Sequence, residues 1–529
     1  MARPTLLTGI EVAALAAWLA LAGLMIVEGT QPEVVQAIDP EALVLGPGQE
    51  RWMGIFFQEQ HVGFTVQRTS PIDGGGTLYE GRSQFQVATF GKLQQVNTAG
   101  TALVDSAGVL QRFDFLMLAD QVRLVARGEV HDREVVMEID QAGETSVLRF
   151  PVARPPQVGM SIEGIIRQQE LSVGHTFSVP YFDPLTLADG DMHFTVTDVE
   201  VLPSGEEAYW MEARFGEIRT RTLVTPAGET LRQEGALGLS MVRMTAEEAT
   251  QISGGDPVDL ISASAVPLEP RSARIAHPRT TRKLRVIIAG VPADRIPHEP
   301  PLQHVEGNVV WIEAPIRAEL ASLPFIRDVP PQWLNRDPLG PELVAQPPDW
   351  LESSPALDLL SELDPQYLGT TPTLPVLHPE IQERAREVVG SATTRLEAVE
   401  RLVAHVFTTV KKEPSVGVPN GLQVLRSERG DCNEHTALFV SLARSAGIPS
   451  RIVAGLVYSN RVGPKGAFYY HAWPEVQLGG EVEWVAVDPT FGQVPADATH
   501  LKLVEGDLDR QVQILGMVGR LRLRYLAHR

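Results

Sequence analysis

SERGDCNEHTALFVSLARSAGIPSR, residues 427–451, contains Cys432, the only cysteine in the 529-residue chain. Small and apolar residues at helical spacing follow the cysteine, and Gly447 and Pro449 mark the predicted end of a helix. Cys432 is therefore expected at the N-terminus of this helix. The positive end of the helix dipole and the free N–H groups there favour a thiolate over a thiol. A small buried residue with no chemical role is the alternative for the cysteine alone.

Two strand-like segments come next, on either side of Gly479-Gly480. They are AFYYHAWPEVQL, residues 467–478, and EVEWVAVDPT, residues 481–490. A hairpin that is symmetric about the two glycines, with a loop of two or four residues, places His471 directly opposite Asp488. Opposed residues have Cβ atoms about 4.5–5.5 Å apart, so the imidazole and the carboxylate are expected to meet.

Cys432, His471 and Asp488 together are the groups that catalyse nucleophilic acyl transfer. Cys432 is the expected nucleophile. His471 is the expected base, which takes the thiol proton and later protonates the leaving group, and Asp488 fixes the tautomer of the imidazole. The backbone N–H of Cys432 is expected to bind the oxyanion.

Four ordered motifs in this region resemble the bacterial transglutaminase-like superfamily. The motifs are Gly430-Asp431-Cys432; Leu442-Ala443-Arg444 with Gly447-Ile448-Pro449 and Arg451; His471-Ala472-Trp473 with Glu475; and Val487-Asp488-Pro489-Thr490. The resemblance covers residues 375–493. It implies an α+β fold related to papain-like cysteine proteases, with Cys432, His471 and Asp488 as a catalytic triad. Pro474 departs from the family pattern, in which a β-type residue is common at this position.

The resemblance also implies an oxyanion side chain upstream of the cysteine. Gln423 is the candidate, with a solvated polar residue as the alternative. Glu434 and His435 follow the cysteine and suggest metal binding, but the sequence has neither CxxC nor HExxH, so no metal and no other cofactor is expected. Trp473 and Trp484 are interpreted as packing residues rather than as a surface for the substrate.

The rest of the chain is expected to form further domains. β-type runs alternate with turn signals between Trp52 and Thr250, which predicts antiparallel strands in one or two sheets. Twelve of the 56 residues from Pro324 to Pro379 are prolines, which is typical of a linker. The expected domains are residues 1–30, an N-terminal signal segment; 50–265, an antiparallel β-rich domain; 280–320, a small β module; 324–379, the linker; and 380–529, the transglutaminase-like domain.

Local patterns predict several elements of the C-terminal domain. Pro379 predicts the start of a helix that ends at Gly390, and Thr394 to Glu397 resembles a capping box that starts a second helix. The tail, residues 519–529, alternates basic and apolar residues and predicts a β-strand that closes the sheet; binding to a membrane surface is the weaker interpretation. The second helix carries an apolar stripe expected in the core, formed by Leu396, Val399, Leu402, Val403, Val406 and Phe407.

The apolar run from Leu6 to Val27 determines the expected location of the chain. Arg3 precedes the run and Glu11 interrupts it. We expect a signal anchor that contacts the membrane through this helix, and Ala20-Leu21-Ala22 makes a cleaved signal peptide the alternative. Both place the rest of the chain in the cell envelope, in the periplasm or the extracellular space. An exported chain with one cysteine has no internal disulfide, and an unpaired thiol there needs burial or a function.

The expected function is thiol-dependent acyl transfer on amide bonds of a protein or peptide, through a Cys432 thioester. Water as the acceptor gives a peptidase or amidase, and an amine gives a transglutaminase-type cross-linking enzyme. Hydrolysis is favoured because the exclusion of water demands more of a site. A formal net charge of −21 argues against a nucleic-acid partner. The alternative is a non-enzymatic envelope scaffold or binding protein with a vestigial triad, since the superfamily includes inactive members.

Overall fold

A computed structural model describes residues 49–529 with gaps at 153–165, 253–264, 326–364 and at shorter stretches. The shorter stretches are 58, 73, 90–91, 120–121, 132–133, 142–143, 167–168, 184–187, 217, 236–237, 271–272, 321–322, 372, 414–418, 461–465, 480–481, 507, 512–513, 515–516 and 518–519. The predicted signal segment and most of the predicted linker lie outside the described residues. None of the described helices has the length and apolar character needed to cross a membrane.

The described residues form two compact units, and the first is built from residues 49–252 and 508–517. It contains one fourteen-stranded antiparallel sheet, which confirms the predicted β-rich N-terminal region. The strands are β1 Gln49–Phe57, β2 Gln60–Pro71, β3 Thr77–Thr89, β4 Lys92–Val104, β5 Leu110–Ala119, β6 Val122–His131, β7 Glu134–Gln141, β8 Glu144–Pro151, β9 Thr176–Asp183, β10 Ala188–Val201, β11 Glu207–Phe215, β12 Ile218–Val224, β13 Thr230–Glu234 and β14 Leu239–Met244. Strands that are consecutive in sequence are neighbours in the sheet, with the exception of β8 and β9, which lie at its two ends. β1 pairs with β14 in the middle of the sheet.

Strand β10 shows a period of two that gives it one buried face. In β10, Met192, Phe194 and Val196 are buried while the residues between them are exposed. Gly228 forms the turn between β12 and β13 with φ of 79°, a conformation that other residues rarely adopt. Two short helices, α1 Ala246–Thr250 and α6 Leu508–Gln511, belong to the same unit.

The second unit is built from residues 265–506 and 520–529 and contains two larger sheets. The first of these has the order β15-β25-β16-β18-β17 and consists of β15 Leu268–Glu269, β16 Lys283–Ala289, β17 Gln303–Glu306, β18 Val309–Glu313 and β25 Arg522–His528. The predicted C-terminal strand is therefore present as β25, but it pairs with β15 and β16. Residues 280–320 and the C-terminal domain, expected as separate domains, share this sheet, in which Leu284, Val286 and Ile288 of β16 and Leu523 of β25 are buried.

The second sheet of this unit carries the candidate site. Its order is β23-β22-β21-β24, with β21 Ser450–Ser459, β22 Ala467–Val476, β23 Val485–Ala486 and β24 His500–Glu505. Four helices precede it: α2 Pro379–Val389, α3 Arg395–Thr409, α4 Gly421–Ser427 and α5 Cys432–Ser445. The short strands β19 Lys411–Lys412 and β20 Arg429–Gly430 pair in parallel beside them. Every residue of α5 from Cys432 to Arg444 is buried, so this helix lies in the centre of the domain.

The helices begin and end close to the positions predicted from the sequence. Gly390 ends α2 with φ of 48°, and Thr394 caps α3 by accepting a hydrogen bond from the backbone N–H of Glu397. The carboxylate of Glu397 turns to Thr393 instead of completing a capping box. Phe407 was expected in the core but is 38% exposed, with the ammonium of Lys412 4.2 Å from its ring centre. The other five residues of the stripe are buried.

The predicted hairpin register is wrong by two residues. β22 pairs with β23 through Glu475–Ala486 and Val476–Val485, so residues 477–484 connect the strands in place of a loop of two or four residues. β23 ends at Ala486, before Asp488, and His471 is paired with Gly455 of β21. Asp488 leaves the ladder because its own carboxylate accepts backbone N–H groups that follow it, as the next section describes.

Candidate active site

Cys432 is the first residue of α5, and its surroundings fix where that helix begins. Asp431 is the N-cap residue and accepts a hydrogen bond from the backbone N–H of Asn433 at 2.8 Å, while the carboxylate of Glu434 accepts one from the N–H of Asp431 at 2.9 Å. Gly430 has φ of 153°, and a Cβ there would lie 2.2 Å from the Cβ of Glu434. Only glycine fits, so the GDC sequence is a geometric requirement of this helix start.

His471 and Asp488 are in direct contact despite the incorrect register. His471 Nε2 lies 2.8 Å from Asp488 Oδ2. The other carboxylate oxygen, Oδ1, accepts backbone hydrogen bonds from Thr490 at 2.7 Å and Phe491 at 2.9 Å. Because the carboxylate accepts from Nε2, the proton of neutral His471 resides there and Nδ1 keeps its lone pair. Nδ1 is buried and has no hydrogen-bond partner among the described residues.

The strand that carries His471 packs against the start of α5. The hydroxyl of Thr436 donates to the carbonyl of Ala472 at 3.2 Å, and the hydroxyl of Tyr470 donates to Asn433 Oδ1 at 3.4 Å. A hydrogen bond with the Ala472 backbone also favours the thiolate of Cys432. The structure thus brings the cysteine beside Ala472, the residue that follows His471.

The thiol of Cys432 is fully buried, and this reverses the expected effect of the helix N-terminus. Burial raises the pKa of the Cys432 thiol well above its ordinary value, and the nearby carboxylate of Asp431 raises it further. The predicted preference for a thiolate is therefore wrong for this closed site, because loss of hydration and acidic neighbours outweigh the favourable backbone contacts. Burial likewise lowers the pKa of His471, against the opposing charge of Asp488. Cys432 is consequently a neutral thiol and His471 a neutral imidazole.

The residues that follow the cysteine hold the helix rather than a metal. His435 Nδ1 lies 2.6 Å from the carbonyl oxygen of Asp431, and burial lowers the pKa of His435 to about 4. Glu434 is occupied by the capping interaction with Asp431. Both side chains are therefore committed to the start of α5.

Sequence reasoning missed His500, which contacts the triad directly. His500 Nε2 lies 2.9 Å from Asp488 Oδ2, the oxygen that His471 also contacts. One potential ligand atom from each of these three residues lies within 4.8 Å of the others, a proximity that metal sites also show. The observed separations are those of hydrogen bonds to a shared carboxylate oxygen. No motif marks His500 in the sequence, because its contact with Asp488 depends on the long-range pairing of β24 with β21.

Gln423, the oxyanion candidate, lies on α4 and is 9% exposed. α4 packs tightly on α5: a Cβ added to Gly421 would lie 2.1 Å from Ser441 Oγ. The backbone N–H of Gln423 donates to Asn420, the N-cap of α4. Gln423 is thus buried on the helix that packs on the one carrying the cysteine, and its role in oxyanion binding stays a prediction.

Two tryptophans and one ion pair are buried in the domain that contains the site. Trp473 is 1% exposed and stacks on His471 with 6.0 Å between ring centroids, while Trp484 is 7% exposed and lies under Arg451 at 4.2 Å. Both tryptophans are packing residues, as expected. Arg451 donates from Nε to Glu475 Oε2 at 2.7 Å, so two motifs that are distant in sequence form one buried ion pair.

Comparison with known proteins supports this placement. Residues 382–489 match the sequence profile of the family described as the Transglutaminase-like superfamily. No curated protein shows significant similarity to the chain. Similar solved structures include a β-barrel-like protein of a domain of unknown function from Brucella abortus, with 12% identity over 37% of this chain and 93% of that chain and a TM-score of 0.28. A candidate cysteine protease from Cytophaga hutchinsonii has 14% identity over 47% of this chain and 86% of that chain, with a TM-score of 0.25.

A candidate protease from Parabacteroides distasonis has 10% identity over 77% of this chain and 69% of that chain, with a TM-score of 0.17. These TM-scores are too low to carry an argument about fold or function. The match of the family profile covers the helices α2 to α5, the strand with His471 and the segment up to Pro489. Residues 382–489 therefore form a domain of the transglutaminase-like superfamily, in the part of the chain where the four motifs predicted it.

Proposed function

We propose that this chain is a thiol-dependent hydrolase that cleaves amide bonds of proteins or peptides through a Cys432 thioester. One observation carries the proposal. Asp488 holds His471 through Nε2, and Nδ1 is buried with no partner in the part of the chain that the structure describes, on the strand that packs against the helix start at Cys432. An imidazole held in this tautomer is a general base for a neighbouring thiol.

The proposed reaction proceeds in two steps. In the first, His471 Nδ1 takes the proton of the Cys432 thiol while sulfur attacks the amide carbon, and the N–H groups at the start of α5 stabilise the oxyanion. The C–N bond breaks, and the amine leaves with the proton from Nδ1. In the second step, His471 takes a proton from water, the hydroxide adds to the thioester, and the acid is released as sulfur recovers its proton.

The neutral resting pair makes proton transfer part of the attack rather than a preceding event. Burial disfavours the thiolate of Cys432 and the imidazolium of His471 alike, so the base must act as the C–S bond forms. Cys432, His471 and Asp488 are each 0% exposed. A local opening of the site must therefore admit the substrate.

Location and substrate class are proposed from the sequence. The apolar run from Leu6 to Val27 would anchor the chain in the membrane and place its bulk in the cell envelope, where its substrates would be exported proteins or peptides. Water is the proposed acceptor, since a site that opens to admit a peptide also admits water.

The second candidate function is a non-enzymatic envelope scaffold or binding protein. The complete burial and the raised pKa of Cys432 favour it, because an inactive descendant has no need of an accessible nucleophile. The β-rich first unit would then provide the binding surface.

An acyl-trapping experiment separates these functions. The full chain is incubated with glutamine-containing peptides in the presence of hydroxylamine, with and without a primary amine, and products are identified by mass spectrometry. Because Cys432 is the only cysteine, any thioester adduct is assigned without ambiguity. We expect an adduct, hydroxamate and hydrolysed peptide with the wild type, and none with Cys432→Ala or His471→Ala. A wild type that yields no adduct or product beyond the Cys432→Ala background would support the scaffold.

A further inference from the structure

His500 occupies a position in which both ring nitrogens must donate. Nε2 lies 2.9 Å from Asp488 Oδ2, and Nδ1 lies 2.9 Å from the backbone carbonyl oxygen of Asp497. A carbonyl oxygen has no proton to give. Asp488 already accepts two backbone N–H groups and His471, an environment that keeps its carboxylate ionised. An imidazole that donates from both nitrogens is an imidazolium.

We infer that at neutral pH His500 is a protonated positioning residue, which holds Asp488 in place and through it keeps His471 a neutral base. This inference rests on the proposed function for its catalytic meaning, although the charge of His500 is a separate matter of fact. His500 does not contact the reacting atoms. It acts through the carboxylate oxygen that it shares with His471.

Alternating charges support the protonated state. Arg279 Nη1 lies 3.1 Å from Asp497 Oδ2, and Asp497 in turn faces His500, with Oδ1 3.6 Å from Nδ1. The series Arg279, Asp497, His500 and Asp488 is therefore positive, negative, positive, negative. If His500 were neutral, two buried carboxylates would share one cation, which a protein interior penalises heavily. Burial lowers the pKa of His500, but Asp497 and Asp488 outweigh it and raise the value to about 9.

Among the described residues, the remaining neighbours of His500 do not supply a competing charge at contact distance. The ring of Trp473 meets it edge-on at 5.1 Å and that of Phe491 lies at 6.3 Å. A cavity of about 40 Å³ beside it is lined in part by residues that form ion pairs with one another: Glu299, Glu475 and Lys502. Lys502 and Arg451, which both pair with these two carboxylates, together balance their charge, so Asp488 and Asp497 determine the charge of His500.

The positive charge has a defined consequence for the base. His500 competes for Asp488 Oδ2 and reduces the support that the carboxylate gives to a protonated His471. Its own charge also opposes protonation of His471, whose ring centroid is 5.7 Å away. Both effects keep Nδ1 of His471 as a proton acceptor at neutral pH. Meanwhile four donors, two on each oxygen, prevent the carboxylate of Asp488 from rotating.

Nitrogen-15 NMR of histidine side chains in the full chain tests the charge directly. His500 and His471 are assigned by the signals that disappear in His500→Gln and His471→Gln. We expect the two nitrogens of His500 to show the matched shifts of an imidazolium at pH 7.5, and those of His471 to show a neutral ring with the proton on Nε2. Neutral shifts for His500 at pH 7.5 would overturn the inference. This readout needs no substrate and no variant other than for assignment, so it remains decisive even if the proposed function fails.

The positioning role is tested by the pKa of His471, read from the same spectra and from the acid limb of kcat/KM. Removal of a unit charge at this distance in an interior of effective dielectric about 20 should raise that pKa by about one to two units in His500→Gln.

His500→Asn provides a second variant if the first does not fold, and His405→Gln, on α3 away from the triad, is the matched control. A lower kcat without any shift of the His471 pKa would show a merely structural residue and refute the role. If the wild type is active but the acid limb of kcat/KM does not shift in His500→Gln, this inference alone is refuted. If the wild type is inactive but the His471 pKa shifts in His500→Gln, the proposed function alone is refuted.

Discussion

The guanidinium carbon of Arg279 lies 4.3 Å from the ring centre of Phe491, and the same ring stacks on His471 with 4.9 Å between centroids. Arg279 precedes β16, far from the triad in sequence, and it also forms the ion pair with Asp497. The segment before the predicted small β module is thus packed on the candidate site.

Replacement of Arg279 by alanine should destabilise the second unit. The change removes the cation over Phe491 and leaves Asp497, which is 3% exposed, without its arginine. We expect a loss of about 2 kcal/mol in the free energy of unfolding, less than for a fully buried pair because the arginine side chain is 32% exposed. Urea unfolding measures it, and Arg282→Ala, an exposed neighbour, is the control. Equal stability of the two variants would contradict the importance of this contact.

The ion pair between Arg451 and Glu475 should be far more important for stability than any surface pair. Arg451→Met leaves a carboxylate that is 4% exposed with Lys502 as its remaining cation, and we expect a cost of about 3–5 kcal/mol. Arg317→Ala breaks an exposed pair with Glu400 and should cost less than about 1 kcal/mol. Denaturant titration of both variants checks the difference. Comparable losses of unfolding free energy in the two variants would show that burial does not determine how much the Arg451 pair contributes to stability.

The pH dependence of stability should report the charge on His500. The folded-state pKa of about 9 is above the ordinary 6.5, so its contribution is complete below pH 6.5 and is lost as the pH rises through 9. The difference corresponds to at most roughly 3 kcal/mol. Asp497, with its pKa lowered to about 2, contributes above pH 3.8 and loses this contribution as the pH falls towards 2. Melting curves from pH 6 to 10 should slope downward in the wild type and much less in His500→Gln; parallel slopes would contradict the assignment.

Titration of the single thiol should show no thiolate at neutral pH. Burial and Asp431 raise the pKa of Cys432, so the ultraviolet absorbance of the thiolate should appear in the folded chain only above pH 9.0. Unfolding in denaturant should move the midpoint down towards the ordinary value. Cys432→Ala provides the baseline. A thiolate signal at pH 7 in the folded chain would mean a site already paired as thiolate and imidazolium.

Gly455 should tolerate no side chain. A Cβ at this position would lie 2.0 Å from the carbonyl oxygen of Leu501, on the neighbouring strand β24. Gly455→Ala must therefore separate β21 from β24, and β24 carries His500. We expect a loss of several kcal/mol and a thermal midpoint lower by about 10 °C or more. Gly81→Ala, where a Cβ would meet no atom nearer than 3.9 Å, should change stability by no more than about 1 kcal/mol.

Local signals in the sequence were sufficient for the elements of the C-terminal domain but not for their long-range pairing. Caps and apolar spacing located α2, α3 and α5, since these depend on neighbours within one or two turns. The contact of His471 with Asp488 was predicted from a hairpin register that is wrong by two residues. The contact exists because the carboxylate of Asp488 accepts hydrogen bonds from the N–H groups of Thr490 and Phe491, which fix its position. The turn at Asp488 is local, but the pairing of β22 with β21, which positions His471, is long-range.

The protonation state of Cys432 and the contacts of His500 and Arg279 depend on burial and on segments far apart in the chain. A helix N-terminus predicts a thiolate only when water or a cation is near, and the packing of α5 against β22 removes the water. The sequence gives no measure of that burial. Similarly, Arg279 reaches Asp497 only because the segment before β16 packs against a segment that lies much later in the chain.

The pairing of β16 with β25 has a consequence for how the protein is made. Leu284 lies opposite His528, so a ribosome must release nearly the whole sequence before this ladder is able to form. Closure of so long a loop is slow relative to the local helices, which assemble first. The second unit therefore acquires its final shape only after synthesis of the segment that contains β25.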